Sequence, residues 1–255
     1  MDIAEISHLL PPDVAPGAAL AIVIISFATA ALTAAFGLGG GLTLLAAMSA
    51  LLPPVAVIPV HGAAQLTANF SRALFLRQSI RWTVIGWFIG GAAIGAAIGA
   101  RVALSLPPAI LQVGVAVFIL VSVWAPKAVL PPPGRGAFFI GGAVSNFLTM
   151  FFGATGPIVA SLLAATRFDR MQIVGTHAGA MVAQHGIKSV AFGAFGFAFA
   201  PWAPLIIAIA TAGFGGSWVG TILLRKTPEH KFQLLFKVVL SAIAIYLLSA
   251  AILAR

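Results

Sequence analysis

Residues 17 to 36, 56 to 76, 82 to 104, 108 to 126, 136 to 152, 172 to 197, 201 to 224 and 232 to 254 form eight apolar runs joined by short connections. A bilayer-spanning helix needs roughly 20 such residues, so runs of this length and number restrict the chain to one kind of solvent. With 61% hydrophobic residues, 7% charged residues and a mean hydropathy of +1.10, the chain cannot cover itself with a solvated surface. It reads as an all-α polytopic membrane protein. Pro53-Pro54, Pro107-Pro108, Pro131-Pro132-Pro133, Pro201 and Pro228 punctuate the connections and end helices there. None of these connections has the length or composition of a linker between separate domains. Asp2, Glu5 and Asp13 precede the first run without the basic start or cleavage site of a signal peptide, so the N-terminus is expected to stay on the mature chain. The absence of cysteine removes disulfides, thiolate metal sites and thiol nucleophiles, and no metal or cofactor is expected.

Glycine interrupts this pattern at two places. Gly37-Leu38-Gly39-Gly40-Gly41 lies where a single helix would otherwise run from 17 to 52, and Gly153-Ala154-Thr155-Gly156-Pro157 follows 116 residues later. Each glycine costs a helix interior about 1 kcal/mol against alanine, so these clusters are expected to break the helix at membrane depth. The pieces that follow, 42 to 52 and 157 to 165, are too short to span and are expected to be half-helices.

The basic residues orient the chain. Arg77 and Arg81, Lys127 and Arg135, Arg167 and Arg170, and Arg225, Lys226 and Lys231 mark cytoplasmic connections, whereas 52 to 55 and 197 to 202 carry no charge and face outside. Arg101 and Arg255 lie near outer ends and fit this scheme poorly. The +9 net charge is thus mostly a topology signal, and no nucleic-acid partner is expected. Two inverted repeats follow, together holding about eight full spans and two half-helices. The first, 1 to 126, contains a hairpin at 17 to 52 and helices at 56 to 76, 82 to 104 and 108 to 126. A cytoplasmic connection at 127 to 135 leads to the second, 136 to 255, with a hairpin at 136 to 165 and helices at 172 to 197, 201 to 224 and 232 to 254. Both termini are placed outside. The 116-residue offset aligns Gly37 with Gly153, Gly40 with Gly156, His61 with His177 and Arg72 with Lys188.

Opposed hairpins bring their tips together near the midplane, where irregular backbone is tolerated only against protein or a water-filled cavity. Half-helix N-termini there point positive ends at anions, which makes Gly39, Gly40, Gly41, Thr155, Gly156 and Pro157 candidate substrate contacts. The helix after each half-helix carries a polar stripe on one face: His61, Gln65, Asn69 and Arg72 in the first repeat, and His177, Gln184, His185 and Lys188 in the second. Polar groups inside spans usually face a bundle interior. For Arg72 and Lys188 the alternative is snorkelling to the interface, and for the histidines it is interhelical hydrogen bonding without a substrate role. All five acids, Asp2, Glu5, Asp13, Asp169 and Glu229, lie outside the spans. The interior therefore offers cations and helix N-termini but no carboxylate, which suits a small anion and leaves His61, His177 or His185 as the only proton-coupling groups. Ser71, Ser145 and Ser161 have no nucleophile-elbow setting and no H-E-x-x-H occurs, so no enzyme is expected.

The paired glycine breaks, the histidine-bearing helix after each and the chain length resemble the TauE/SafE family of sulfite and organosulfonate exporters. Gly37 to Gly41 matches a G-x-G-G-G motif, and the second break resembles G-x-G-G-P with Thr155 where glycine is common. The resemblance implies a carrier in the bacterial inner membrane that moves sulfite, sulfoacetate or other sulfonates outward by alternating access. On that reading the anion sits between the tips, held by half-helix N-termini and by Lys188 or Arg72, with Gln65, Asn69, Thr155 and Gln184 as hydrogen-bond donors. An anion channel on the same site and a non-transporting scaffold or accessory subunit are the alternatives. Gly86, Gly90, Gly91, Gly95 and Gly99, with Gly216 and Gly220 in the other half, place small residues on helix faces. Close helix packing is their default role, with homodimerisation the lesser alternative. Trp82, Trp87, Trp124, Trp202 and Trp218 mostly sit near segment ends, as anchors at the interfaces of a lipid bilayer do.

Overall fold

The computed structural model describes residues 10, 11, 13–36, 40–103, 107–124 and 132–223, with the single positions 241, 245 and 249. Gly37 to Gly39, most of the 127–135 connection, the basic cluster at 225–231 and most of the last apolar run lie outside the described residues. Those described are helical, with no strand among them. The α-helices in chain order are α1 Pro16–Phe36, α2 Gly40–Leu51, α3 Pro54–Phe75, α4 Trp82–Ala103, α5 Pro108–Trp124, α6 Arg135–Phe152, α7 Gly156–Ala164, α8 Arg170–Ala194 and α9 Ala203–Leu223. Among the described residues three segments are long and apolar enough to cross a membrane: Pro16–Ala35, Trp82–Ala103 and Ala200–Leu223. α3 and α8 have comparable length, but their polar stripes lower their hydropathy.

Local chemistry sets several helix ends. α8 begins two residues before the apolar run predicts, because the Asp169 carboxylate accepts from the Gln172 backbone N–H and the Gln172 side chain answers at the Asp169 N–H, a reciprocal cap. It also stops before the predicted residue 197, because Gly196 turns the chain at φ +100°. The half-helices α2 and α7 start slightly earlier than expected, so Gly40, Gly41 and Gly156 belong to first helical turns.

α3 and α8 pack against each other at the centre of the bundle, and the most extensive contacts around them pair α4 with α6 and α9 with α1. Glycine makes both outer pairs possible. A Cβ at Gly91 or Gly95 would overlap the carbonyl of Phe139 or Ala143 on α6, and one at Gly216 or Gly220 would overlap the carbonyl of Phe27 or Ala31 on α1. Backbones that approach this closely gain dispersion contacts over their whole length, the main source of helix association in lipid. These small-residue faces are therefore occupied within the chain.

The Arg81 backbone N–H donates to the Thr176 hydroxyl at 2.9 Å, tying the start of α4 to the second turn of α8. α8 also packs against the short 3₁₀ turn Arg77–Ser79 that follows α3. α3 and α8 consequently run antiparallel. The basic connections at 76–81 and 165–169 share one end of the bundle, and the uncharged connections at 52–53 and 195–199 share the other. Arg135, which begins α6, and Phe168, which follows α7, line one recess with Arg81, so the chain enters α6 and leaves α7 at the basic end. Of the five tryptophans, Trp82, Trp124 and Trp218 are widely exposed on the bundle surface, but Trp202 is buried against Phe197 in an apolar cluster.

Candidate functional site

The two glycine breaks meet beside the central helices. Gly153 adopts φ +77° and lies against Leu45 of α2, where a Cβ would come within 2.7 Å of the leucine Cδ1. The tip of the second hairpin thus rests on the first. At the other tip, a Cβ on Gly40 would overlap the Thr29 carbonyl and the Thr33 hydroxyl, so only glycine lets α2 start this close to α1.

Each tip is held by a histidine. His61 Nε2 lies 2.9 Å from the Gly41 carbonyl and His177 Nε2 lies 3.1 Å from the Gly156 carbonyl. A carbonyl only accepts, so both rings carry their proton on Nε2 and donate it. The Nδ1 atoms of His61, His177 and His185 are buried without a hydrogen-bond partner. His61 and His185 meet edge to face with ring centroids 5.9 Å apart.

Between the tips lies a cavity of about 40 Å³ lined by Thr33, Gly41, Leu42, His61, Gln65, Asn69, Ala154, Gly156, Pro157, His177, Met181 and His185. It draws on both hairpins and on both polar stripes. Gln65 and Asn69 are coupled, since Asn69 Nδ2 donates to the Gln65 backbone carbonyl at 2.7 Å and to its Oε1 at 3.3 Å. A larger recess of about 550 Å³, lined by Arg81, Trp82, Trp87 and Arg135 among others, opens at the basic end and includes no residue of either tip.

The remaining candidates from the sequence lie around the cavity without lining it. Thr155 donates to the Ser145 carbonyl at 2.9 Å, Ser145 Oγ donates to Gln184 Oε1 at 2.6 Å, and Gln184 Nε2 reaches the Thr149 hydroxyl at 3.4 Å. Thr149 in turn donates to the Gly153 carbonyl at 3.0 Å. These contacts brace the second break from behind. Lys188, fully buried, donates from Nζ to the same Gly153 carbonyl at 2.8 Å. Gly62 makes room for it, because a Cβ there would come within 2.6 Å of Lys188 Cε. Arg72 is also buried, but its Nε and Nη1 have no partner among the described residues. Gly39 lies outside the described residues.

Thr33, Leu42, Ala154 and Met181 line the cavity without having been singled out from the sequence. Two of them carried a signal, since the 116-residue offset aligns Thr33 with Thr149 and Met181 with Gln65. Leu42 and Ala154 carried none, because an apolar residue beside a break looks like any other. Among the described residues no group of three or more histidines and acids is placed to hold a metal ion. The arrangement places the first turns of α2 and α7 and the Gln65, Asn69 and His185 side chains around a space for a small polar solute, with no carboxylate among the lining residues.

The family model described as Sulfite exporter TauE/SafE matches residues 9–247. No curated protein and no solved structure was found to match the chain.

Proposed function

The chain belongs to the TauE/SafE family of sulfite exporters, a family of membrane transporters, and on that premise we propose that it is a secondary carrier that exports small sulfur-containing anions. The observation that carries this reading is the cavity between the two tips, lined by His61, Gln65, Asn69, His177 and the first turns of α2 and α7. The positive ends of these two half-helices favour an anion, and the lining holds no acid to repel one. The volume narrows the substrate. About 40 Å³ exceeds the roughly 10–15 Å³ that a single water needs but leaves no room for an extended molecule. A compact oxyanion such as sulfite matches that space better than a long-chain sulfonate.

Transport proceeds by alternating access between two inverted repeats. What supports the repeat is the exchange of partners across the bundle. α1 of the first hairpin packs on α9, and α6 of the second hairpin packs on α4, so each hairpin lies against the other half's helix. Rocking one half against the other exposes the cavity first at the basic end, which the positive-inside rule makes cytoplasmic, and then at the uncharged end. The protein would reside in the bacterial inner membrane with both termini outside.

Reconstitution into proteoliposomes tests the reading. Saturable uptake of labelled sulfite, accelerated by unlabelled sulfite on the opposite side, is expected. Current without counterflow would indicate a channel on the same site, and no anion movement at all would leave a scaffold.

A further inference from the structure

Arg72 and Lys188 occupy the same position in the two polar stripes, and the sequence assigns the substrate's charge to either. Their surroundings separate them. The Lys188 ammonium has an acceptor in its own chain, the Gly153 carbonyl. Arg72 is 1% exposed, so its guanidinium has not snorkelled to the interface, and its Nε and Nη1 have no partner among the described residues. The described acids are Asp13, ahead of α1, and Asp169, spent on the α8 cap. A buried guanidinium without an anion is an unstable arrangement, because taking an ion out of water costs several kcal/mol that only a well-placed opposite charge offsets. Arginine cannot escape by losing its proton as lysine can.

Its position connects this deficit with the cavity. Arg72 stands three residues beyond Asn69, the last cavity-lining residue of α3, toward the basic end. It is also close enough to His177 and His185, both in the cavity wall, to act on them electrostatically.

We propose that Arg72 is the counter-charge for the transported oxyanion and forms its station on the basic-end side of the cavity, while Lys188 is a structural pin of the second break. The ligand class is a small oxyanion with at least two oxygens free to accept from the guanidinium edge, a geometry that arginine matches and lysine does not. This rests on the anion-carrier reading above but not on sulfur chemistry, and the test keeps the two apart.

The melting temperature of the purified full chain is followed against sodium sulfite, sulfate and chloride at constant ionic strength. Wild type is expected to be stabilised by sulfite. Arg72→Met should lose that anion-dependent stabilisation without melting lower than wild type in anion-poor buffer, because it removes an unpaired buried charge. Lys188→Met should melt lower in the same buffer yet keep the sulfite response. If Arg72→Met does not yield folded protein, Arg72→Lys carries the test. A point charge in place of the planar fork should raise the sulfite concentration for half-maximal stabilisation about tenfold. An Arg72→Met or Arg72→Lys response identical to wild type overturns the proposal, as does loss of the response in Lys188→Met alone. A response to sulfate or chloride but not sulfite, abolished by Arg72→Met, would keep the station and reject the sulfite reading. No response to any anion would reject both.

Discussion

The two hairpins share a plan and differ in how their tips are supported. In both, a histidine on the following central helix donates to a carbonyl at the start of the half-helix, 2.9 Å away in the first and 3.1 Å in the second. Behind the second tip, Ser145, Thr149, Thr155, Gln184 and Lys188 spend their polar groups on each other and on Gly153. Behind the first tip, Thr33 donates to the Thr29 carbonyl and Thr29 to Ile25 within α1, and Arg170 at the start of α8 donates to the Ala35 carbonyl at 3.1 Å. Its stripe brings Gln65 and Asn69 to the cavity, and Arg72 beyond them has Nε and Nη1 without an acceptor among the described residues. A duplicated scaffold has thus divided its labour. The second half commits a chain of five side chains to its break, whereas in the first half the Arg72 Nε and Nη1 stay without an acceptor among the described residues, and a buried polar group without a partner calls for an explanation.

The strongest way to break this comparison is at the packing that both halves share. Gly95→Val on α4 and Gly216→Val on α9 each drive a side chain into a facing backbone carbonyl. Each should cost more than about 3 kcal/mol and abolish monodisperse elution from size exclusion. Tolerance at one site and collapse at the other would show that the two helix pairs are not equivalent. A smaller, matched loss is expected at the histidines. His61→Leu and His177→Leu each leave a half-helix carbonyl without its side-chain donor, for about 1–3 kcal/mol in thermal unfolding. A difference larger than that range would mean that one tip does not depend on its histidine. The smallest effects should separate the tips most cleanly. Thr149→Val removes a bond to the irregular Gly153 carbonyl and should cost about 1 kcal/mol, whereas Thr33→Val removes a bond to a carbonyl within a regular helix and should cost less than about half of that. On transport the order should reverse, since Thr33 lines the cavity and Thr149 does not.

Much of this was legible along the chain because its causes are local. The helices follow from apolar runs, several of their ends from the prolines, and the stripe His61, Gln65, Asn69 from the helical period, whereas the Asp169 cap and the Gly196 turn that bound α8 appeared only in the structure. Gly91, Gly95, Gly216 and Gly220 announced close packing but not its partner, and nothing in the spacing indicated that α4 would take α6 and α9 would take α1. The tryptophans show the same limit: Trp202 has the composition of an interfacial anchor, yet Phe197 folds over it.

The sequence by itself determined that this chain lives in a membrane, that two glycine clusters interrupt its helices, and that no carboxylate lies within its apolar runs. Those properties belong to single segments and to solvation, and they do not depend on what each segment touches. Only the tertiary structure separated the two cations that the repeat matches. Lys188 reaches the Gly153 carbonyl because Gly62 of a neighbouring helix leaves a notch for it, and Arg72 finds no such acceptor for Nε or Nη1 among the described residues. Hydrogen bonding is satisfied between residues far apart in the chain, so the fate of a buried charge is settled by assembly and not by position in a repeat.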